Sequence, residues 1–393
     1  IKPQQPANKI GFVSLGCPKA LVDSERIITQ LRAEGYELVP QYADADLVIV
    51  NTCGFIEQAK EESINTILEQ VKLKQKGRLD KVYVTGCLSE RYKEALQNEI
   101  PEVDAWFGTL ELPQILKRFN ADYKSDLIGE RLLSTPQHYA YVKISEGCNR
   151  TCSFCAIPLM RGKHISKPIE TIVSEVKQLV SKGVKEVMLI AQELTYYGLD
   201  IYKKRMLPDL LHQLADIEGL HWIRLHYAYP SKFPLEIIDA IKAHDNICNY
   251  LDMPLQHASD AMLTAMKRQI TRVEMEQLID DIRNKLPEIC LRTTLIAGFP
   301  GETEDDIEEL KTFLQKVQFD RVGIFPYSHE EGTSAYQLID NISKEEKNRR
   351  AEEIMELQQT ISYDKNLKKV GKTFQVLIDK KEAGTYIGRT EYD

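Results

Sequence analysis

The sequence predicts an α/β protein built from two successive series of parallel strands. Short β-rich segments alternate with longer helical patterns, and this alternation stops at a polar stretch before it resumes. Strands that alternate with helices form parallel sheets with right-handed crossovers. With 43% hydrophobic and 28% charged residues, the 393-residue chain has the composition of a globular protein. At about 150 residues per domain, it has room for two or three domains.

The first series predicts an open parallel sheet. We expect strands at 10–15, 47–50 and 82–85, a helix at 22–33 that Gly35 ends, and a second helix at about 58–76. Each strand ends at a cysteine beside a glycine, in the pairs Gly16-Cys17, Cys53-Gly54 and Gly86-Cys87. Because the carboxyl ends of parallel strands form the ligand-binding edge of an open sheet, we expect the three thiols at one rim, where the glycines leave room for a bulky group. The alternative is that each cysteine is an ordinary buried core residue.

The second series predicts a partial barrel. A polar stretch at 122–138 marks the boundary, and six strand patterns follow at 139–144, 186–191, 222–227, 249–253, 291–297 and 321–326. Helical patterns lie between them, for example at 169–180, 234–243 and 304–317. Six β/α units are fewer than the eight of a closed barrel, so we predict a partial (β/α)6 barrel. A charged helix at about 343–367 and a strand at 373–379 follow, and this strand opens a small β module that we expect to be truncated.

The charge balance favours a basic partner over nucleic acid. The chain has 51 Lys and Arg against 59 Asp and Glu, a net charge of −8 and a pI near 5.7. Nucleic-acid affinity depends mainly on basic side chains that neutralise phosphates. An acidic chain of this composition is therefore not expected to bind nucleic acid over a broad surface. The sequence has neither an apolar stretch long enough to span a bilayer nor a signal-peptide pattern, so we expect a cytoplasmic protein with no membrane partner. In that compartment, eight cysteines indicate a role other than disulfide formation.

Three of the cysteines are packed into one segment, Gly147-Cys148-Asn-Arg-Thr-Cys152-Ser-Phe-Cys155. Structural zinc sites usually have four protein ligands, whereas three thiolates without an obvious fourth suit an iron–sulfur cluster with one iron left open. A zinc site completed by His164 is the first alternative. A buried helix face is the second, but the glycine, asparagine and threonine within the segment are poor helix formers.

This motif, directly after the first strand of a β/α series, resembles the cluster loop of radical S-adenosylmethionine enzymes. The resemblance implies that Cys148, Cys152 and Cys155 hold a [4Fe–4S] cluster. In that family the open iron binds the amino and carboxyl groups of S-adenosylmethionine, and reduction of the cluster cleaves the cofactor to a 5′-deoxyadenosyl radical. Such chemistry requires a shielded, low-potential cluster beside a pocket for the adenosyl group.

The whole chain resembles the methylthiotransferases of this superfamily. The resemblance implies an N-terminal methylthiotransferase domain at 8–125, a radical S-adenosylmethionine domain at 134–366 and the start of a TRAM-like β domain at 368–393. It further implies that Cys17, Cys53 and Cys87 hold an auxiliary [4Fe–4S] cluster whose open iron carries the sulfur to be delivered. Two S-adenosylmethionine molecules are then used, one to methylate this sulfur and one to generate the radical that activates a substrate C–H bond.

Finer motifs indicate the substrate branch. The segment Ser14-Leu-Gly-Cys-Pro-Lys-Ala-Leu-Val-Asp-Ser-Glu25 is similar to the branch that modifies an aspartate β-carbon in small-subunit ribosomal protein S12, although Ala20 stands where that branch generally has Asn. The tRNA-modifying branch usually has Gln-Met-Asn where this chain has Pro18-Lys-Ala20. The segments 146–150, 158–162, 224–227 and 254–257 also resemble the ribosomal branch. We therefore expect ribosomal protein S12 as substrate and an electron donor such as flavodoxin or ferredoxin. A modified adenosine in tRNA is the alternative substrate, and a non-catalytic iron–sulfur electron carrier is the alternative of another class.

Two further groups are candidates for the S-adenosylmethionine pocket. Gln192 and Glu193 end one strand, while Gly298 and Gly301 lie in a turn that resembles the family's adenosyl-binding turn. The alternatives are solvated polar residues for the first pair and an ordinary strand–turn–helix connection, capped by Thr303, for the second. No catalytic residue is expected beyond the six cluster ligands. Structural roles are expected for the remaining candidates, His226, His257, Cys248 and Cys290.

Overall fold

The computed structural model describes residues 9–40, 42–124, 127 and 130–392. These residues form two compact units. The first unit contains the described residues of 9–137, 156–163 and 174–182, and the second contains 138–155, 164–173 and 183–392. Among the helices described, none combines the length and apolar character needed to cross a membrane.

The first unit is built around a five-stranded parallel sheet with the strand order β2-β1-β3-β4-β5. Its strands are β1 (Lys9–Ser14), β2 (Glu37–Leu38), β3 (Leu47–Thr52), β4 (Lys81–Gly86) and β5 (Ala105–Trp106). The three central strands confirm the sequence prediction. The two edge strands were not predicted, because segments of two residues are too short to show an alternating hydrophobic pattern.

Helices cover both faces of this sheet. They are α1 (Pro18–Ala33), α2 (Glu57–Gln75), α3 (Cys87–Glu99) and α4 (Leu112–Arg118), and the short α5 (Ile157–Arg161) packs on α3. Helix α1 begins earlier than the predicted 22–33 because proline fits the first helical position, where its missing N–H needs no partner. As a result α1 starts directly after Cys17, and α3 starts at Cys87 itself.

The core of the first unit lies on both sides of β3, whose six residues are all buried. Val48 belongs to a cluster with Ile67 of α2, and Ile49 belongs to a second cluster with Leu31 of α1. Neighbouring residues of a strand point to opposite faces, which explains why an uninterrupted apolar run serves a sheet covered on both sides. Each fully buried aliphatic side chain of this kind contributes about 1.5–3 kcal/mol.

The second unit is an open barrel of six parallel strands in the consecutive order β6-β9-β10-β11-β12-β13, and it confirms the predicted partial (β/α)6 barrel. Small antiparallel pairs accompany it: β7 with β8, and the C-terminal β14 with β15. Its strands are β6 (Tyr139–Lys143), β7 (Ser145–Glu146), β8 (Ile165–Ser166), β9 (Glu186–Ile190), β10 (Trp222–Leu225), β11 (Ile247–Asp252), β12 (Cys290–Ala297), β13 (Arg321–Pro326), β14 (Leu377–Glu382) and β15 (Thr385–Arg389).

Helices connect successive barrel strands, and a long charged helix follows the last strand. They are α6 (Ile169–Ser181), α7 (Leu207–Ala215), α8 (Glu236–Ala243), α9 (Asp260–Ala265), α10 (Arg272–Lys285), α11 (Glu304–Val317) and α12 (Lys344–Leu367). Helices α10 and α11 each begin with a capping box, in which Thr271 or Thr303 exchanges hydrogen bonds with the acidic residue three positions later. This arrangement satisfies two N–H groups at the start of each helix.

The C-terminal hairpin is anchored to the amino-terminal ends of the barrel strands. Arg389 of β15 forms ion pairs with Glu186 at 2.6 Å and Asp379 at 2.8 Å, and Arg224 donates to the main-chain oxygen of Thr390 at 2.8 Å. The predicted strand at 373–379 starts later than expected, at Leu377. The reason is that the pairing of β14 with β15 begins at Leu377, which lies opposite Arg389.

Candidate functional site

The first unit brings Cys17, Cys53 and Cys87 to the carboxyl edge of its sheet. The register explains this convergence, because Ser14 at the end of β1 pairs with Asn51 of β3, and the next residue, Thr52, pairs with Gly86 at the end of β4. The three thiols are close enough to interact electrostatically. Burial raises the pKa of Cys53 and raises that of Cys87 to about 11. The sequence prediction of one shared rim is therefore borne out by the positions of the three side chains.

The glycines beside these cysteines have a different purpose from the one expected. A Cβ atom on Gly54 would lie 2.7 Å from the main-chain nitrogen of Leu88, and one on Gly86 would lie 2.4 Å from Oδ1 of Asn51. Gly16 has a φ of +96°, and its Cβ would lie 3.0 Å from the Cβ of Cys53. The prediction that they leave room for a bulky group is wrong, since the space is filled by the chain itself. They allow the three strand-end loops to pack against one another.

Arg161 of α5 contacts this first triad. Its guanidinium forms an ion pair with Asp23 of α1 at 2.5 Å and donates a hydrogen bond to Cys87, which partly offsets the effect of burial on the pKa of that thiol. The arginine is nearly fully buried. Sequence reasoning did not find this role, because nothing in the spacing of 158–162 links it to a cysteine far earlier in the chain.

The second unit carries Cys148, Cys152 and Cys155 in the loop after β7. All three side chains are partly exposed. The loop turns back on itself, with the main-chain N–H of Arg150 donating to Sγ of Cys148 at 3.4 Å and that of Cys155 donating to the oxygen of Cys152 at 3.2 Å. Burial raises the pKa of Cys148 to about 11. The motif therefore folds as an irregular loop and not as a helix face, which excludes the second alternative interpretation.

Arg150, inside this loop, is held on three sides. Its guanidinium lies 4.0 Å from the ring centre of Tyr196 and 3.7 Å from that of Tyr229, and it donates two hydrogen bonds to Oε2 of Glu193, at 2.8 and 3.1 Å. The other oxygen of Glu193 accepts from the main-chain N–H of Thr195 at 2.6 Å. Both oxygens of Glu193 thus serve donors of the chain. Its contact with S-adenosylmethionine stays a prediction.

Gln192 offers an acceptor at the end of β9. Its Nε2 donates to Oε1 of Glu146 at 2.8 Å, which fixes the side-chain amide. Its Oε1 is buried and accepts no hydrogen bond from the described residues. A buried amide oxygen without a donor costs free energy, so this atom is suited to a ligand that brings an N–H or O–H group.

The predicted adenosyl-binding turn is organised by Glu302, a residue that the sequence prediction did not single out. The side chain of Glu302 is fully buried, accepts from the main-chain N–H of Gly298 at 2.8 Å and pairs with Arg350 of α12 at 2.9 Å. His257 lies 3.3 Å from its other oxygen. The sequence feature that could have identified Glu302 is its position as a single acidic residue at the end of a glycine-rich turn.

The two glycines of this turn differ from each other. Gly298 has a φ of +78°, and a Cβ there would lie 2.2 Å from Cγ of Lys347, so the glycine permits the close approach of α12. Gly301 has a φ of +86°, and a Cβ there would meet no described atom within 4 Å. Of the two, Gly301 is the one beside open space.

The remaining candidates have structural contacts. The Nε2 of His164, the ligand of the zinc alternative, lies 3.0 Å from Oγ of Ser166. Cys248 and Cys290 are buried, as expected. In the part of the chain that the structure describes, there is no group of three or more His, Cys, Asp or Glu side chains that could hold a metal ion. A single zinc ion needs sulfur ligands at about 2.3 Å, whereas the ligands of a four-iron cluster sit on separate irons and lie farther apart.

Comparisons with known proteins agree with the architecture. Residues 9–108 match the family described as Uncharacterized protein family UPF0004, and residues 142–314 match the Radical SAM superfamily. The ribosomal protein uS12 methylthiotransferase RimO of Cytophaga hutchinsonii is 57% identical over 387 residues, which cover 98% of this chain and 89% of the relative. Its counterpart in Flavobacterium psychrophilum is 55% identical over 386 residues, with the same coverage of 98% and 89%. The chain belongs to the uS12 methylthiotransferase family.

Solved structures add evidence on the fold of this methylthiotransferase chain. The radical S-adenosylmethionine methyltransferase TsrM from Kitasatospora setae superposes with a TM-score of 0.59 at 15% identity, covering 81% of this chain and 75% of that one. The radical enzyme OxsB superposes with a TM-score of 0.56 at 11% identity, covering 90% of this chain and 56% of that one. At such low identity the likeness concerns the fold alone. The predicted family and fold class of a radical S-adenosylmethionine methylthiotransferase are confirmed.

Proposed function

We propose that this protein transfers a methylthio group to the β-carbon of an aspartate in ribosomal protein uS12, through radical activation of the C–H bond. The observation that carries the proposal is the identity, above half and over almost the full chain, to relatives named for that reaction. Two cysteine triads at strand ends or in the following loops supply the chemistry that such a reaction needs. The relatives' name points to a protein substrate, so modification of a tRNA adenosine is the outcome that would contradict this proposal.

We propose that each triad holds a [4Fe–4S] cluster, Cys17, Cys53 and Cys87 the auxiliary one and Cys148, Cys152 and Cys155 the radical-generating one. Three soft sulfur donors, with no fourth side-chain ligand among the described residues, suit a cluster with an open iron. Each triad also has a buried guanidinium against one thiol: Arg161 at Cys87 and Arg268 at Cys152. Arg161 favours the deprotonated form of the Cys87 sulfur, which is the form that binds iron. When bound, the clusters and S-adenosylmethionine supply the electron, the radical and the methylthio group.

The chain's own residues hold and orient these groups. Arg150, fixed by Glu193, keeps the second cysteine loop in one conformation. We propose that the buried Oε1 of Gln192 accepts from a donor group of S-adenosylmethionine, and that the exposed turn at Gly301 contacts its adenosyl part. We further propose that the chain divides into domains at 8–125, 134–366 and 368–393. A flavodoxin or ferredoxin is the proposed electron donor, and the cytoplasm, where ribosomal proteins are made, is the proposed location.

The test uses the full chain, reconstituted anaerobically with iron and sulfide, and a peptide that carries the uS12 target loop. With dithionite and S-adenosylmethionine, we expect the mass of a methylthio group on the peptide aspartate. Cys53→Ala is expected to cleave S-adenosylmethionine without modifying the peptide. Cys248→Ala, a buried thiol outside both triads, is the matched control and is expected to modify it. A Cys53→Ala protein that still methylthiolates the peptide would refute the role of the first triad.

A further inference from the structure

Arg268 contacts the second cysteine loop although it belongs to another part of the barrel, the turn between α9 and α10. Its Nη1 donates to Sγ of Cys152 at 3.1 Å, and its Nη2 donates to the main-chain oxygen of Pro254 at 2.5 Å. Its guanidinium lies 4.2 Å from the ring centre of Tyr229, and only 3% of the residue is exposed. A buried cation is therefore placed directly on one sulfur of the motif.

The turn that carries Arg268 is built to hold it in this position. The residues on either side, Lys267 and Gln269, both have a φ of +56°, a conformation that non-glycine residues rarely adopt. The hydroxyl of Tyr229 donates to the main-chain oxygen of Arg268 at 2.7 Å. Ser153, the neighbour of Cys152, donates through its N–H to the oxygen of Met266 at 3.0 Å, which ties the cysteine loop to this turn. These contacts thus stabilise the strained backbone of the turn, and this backbone conformation holds the Arg268 guanidinium against the cysteine loop.

The charge of Arg268 is balanced differently from that of its neighbour. Arg150 also stacks on the ring of Tyr229, but its guanidinium forms an ion pair with the carboxylate of Glu193. Arg268 forms no ion pair with a carboxylate within the described part of the chain, and its partners are the Cys152 sulfur, a carbonyl oxygen and an aromatic ring. A buried charge is costly unless it is paired. Among the described residues, the Cys152 sulfur is the one contact of Arg268 that carries negative charge when it is a cluster ligand.

We propose that Arg268 is a positioning residue that raises the reduction potential of the cluster held by Cys148, Cys152 and Cys155. The proposal rests on the cluster assignment made under the proposed function. Reduction adds one electron to the cluster, and this electron comes from an external low-potential donor, while no bond at Arg268 forms or breaks. A buried cation beside a ligand sulfur stabilises the more negative, reduced form over the oxidised form, since hydrogen bonds to the sulfurs and net charge set such potentials.

The experiment is an EPR-monitored redox titration of the full chain with Cys17, Cys53 and Cys87 replaced by alanine, so that a single cluster is observed. Arg268→Gln keeps a hydrogen-bond donor and removes the charge. We expect it to lower the equilibrium constant for reduction about tenfold, which is about 59 mV for one electron. Arg268→Lys keeps the charge and is expected to stay within about threefold of the parent. Arg283→Gln is the matched control, because Arg283 also donates to main-chain oxygens but lies on α10, away from the cysteines.

A second readout uses S-adenosylmethionine cleavage with reductants of different strength. Arg268→Gln is expected to lose most of its cleavage with dithionite and to regain it with a europium(II) chelate, a stronger reductant, which a merely structural defect would not allow. An Arg268→Gln protein with full iron content and an unchanged potential overturns the proposal. If the Arg268→Gln protein does not load iron, the Arg268→Lys protein decides. An Arg268→Lys protein that loads iron and has the reduction potential of the parent supports the need for a positive charge. If it also fails to load iron, Arg268 has only a structural role.

The two proposals fail in distinguishable ways. If Cys148→Ala in the same background still assembles a reducible cluster, the cluster assignment is wrong whatever Arg268 does. If the potential moves as expected but the chain with all six triad cysteines does not modify the uS12 peptide, the role of Arg268 stands and the substrate assignment fails.

Discussion

Glu193→Ala removes the carboxylate that holds Arg150 in the second cysteine loop. The two side chains are 2% and 6% exposed, so the ion pair at 2.8 Å is screened little by water. Removing one partner of a buried pair leaves an uncompensated charge and costs about 3–5 kcal/mol. The main-chain N–H of Thr195 also loses its acceptor, which costs about 1–3 kcal/mol, while Arg150 keeps its stacking on two tyrosines. Because such terms do not add fully, we expect a loss of about 4 kcal/mol in the free energy of unfolding.

The assay is urea unfolding of the cluster-free protein under reducing conditions. The chain has two tryptophans, and Trp106 lies in the first unit whereas Trp222 lies in the second. In a Trp106→Phe background, fluorescence therefore reports the unit that contains the second cysteine loop, which matters because a chain of two units need not unfold in one step. Glu309→Ala is the control, since the pair of Glu309 with Arg272 is long, at 3.9 Å, and half-exposed; we expect a change below about 1 kcal/mol.

A double variant separates the ion pair from other effects of the mutation. Arg150→Met with Glu193→Leu replaces both charges by apolar groups, and such replacements are often neutral to stability, so we expect most of the loss to be recovered. If Glu193→Ala instead changes the unfolding free energy by less than about 1 kcal/mol and weakens S-adenosylmethionine binding, the carboxylate is a cofactor ligand and its anchoring role is refuted.

Four further outcomes are expected. Cys53→Ala should hold about half the iron of the parent after reconstitution, measured by iron analysis, whereas Cys248→Ala should hold the full amount. Iodoacetamide should alkylate Cys87 of the cluster-free protein slowly near pH 8 and faster as the pH rises towards its pKa of about 11, because the thiolate is the nucleophile; mass spectrometry of the peptide at several pH values tests this, and a pH-independent rate contradicts it. That raised pKa also means that stability from the buried neutral thiol is present below about pH 8.5 and is lost as the pH rises to about 11. Gly298→Ala should destabilise the protein by about 1–3 kcal/mol in thermal or urea unfolding, because it combines a positive φ with a clash against Lys347, while Gly301→Ala, with the same backbone strain but open space, should cost less.

The sequence was sufficient for the longer parallel strands and for the position of the cysteines at their ends, because both depend on local patterns. Residues 47–50 form a run of apolar residues long enough to identify a buried strand, and the next residues place Cys53 at its end. In a parallel sheet the carboxyl ends of the strands lie along one edge, so a residue at the end of a strand can be assigned to that edge from the sequence. The two-residue strands β2 and β5 lack such a pattern, and only the completed sheet provides their partners.

The roles of the charged residues around the thiols could not be predicted in the same way. Arg268 and Cys152 meet because a strained turn and the cysteine loop pack together, and Arg161 meets Cys87 because α5 packs on α3. Such contacts join segments far apart in sequence, and no local spacing encodes them. The glycines of the first unit show the same limit, since their requirement for close packing is visible only once the neighbouring loops are in place.

The measurement that tests the central claim most directly is an anaerobic competition assay. Reconstituted protein, dithionite, S-adenosylmethionine and sulfide would be incubated with intact uS12 and bulk tRNA together, and both substrates would be analysed by mass spectrometry. We predict a methylthio group on an aspartate of uS12 and unmodified tRNA. A methylthio group found on tRNA adenosine, with uS12 unmodified, would contradict the proposed substrate and retain only the radical chemistry.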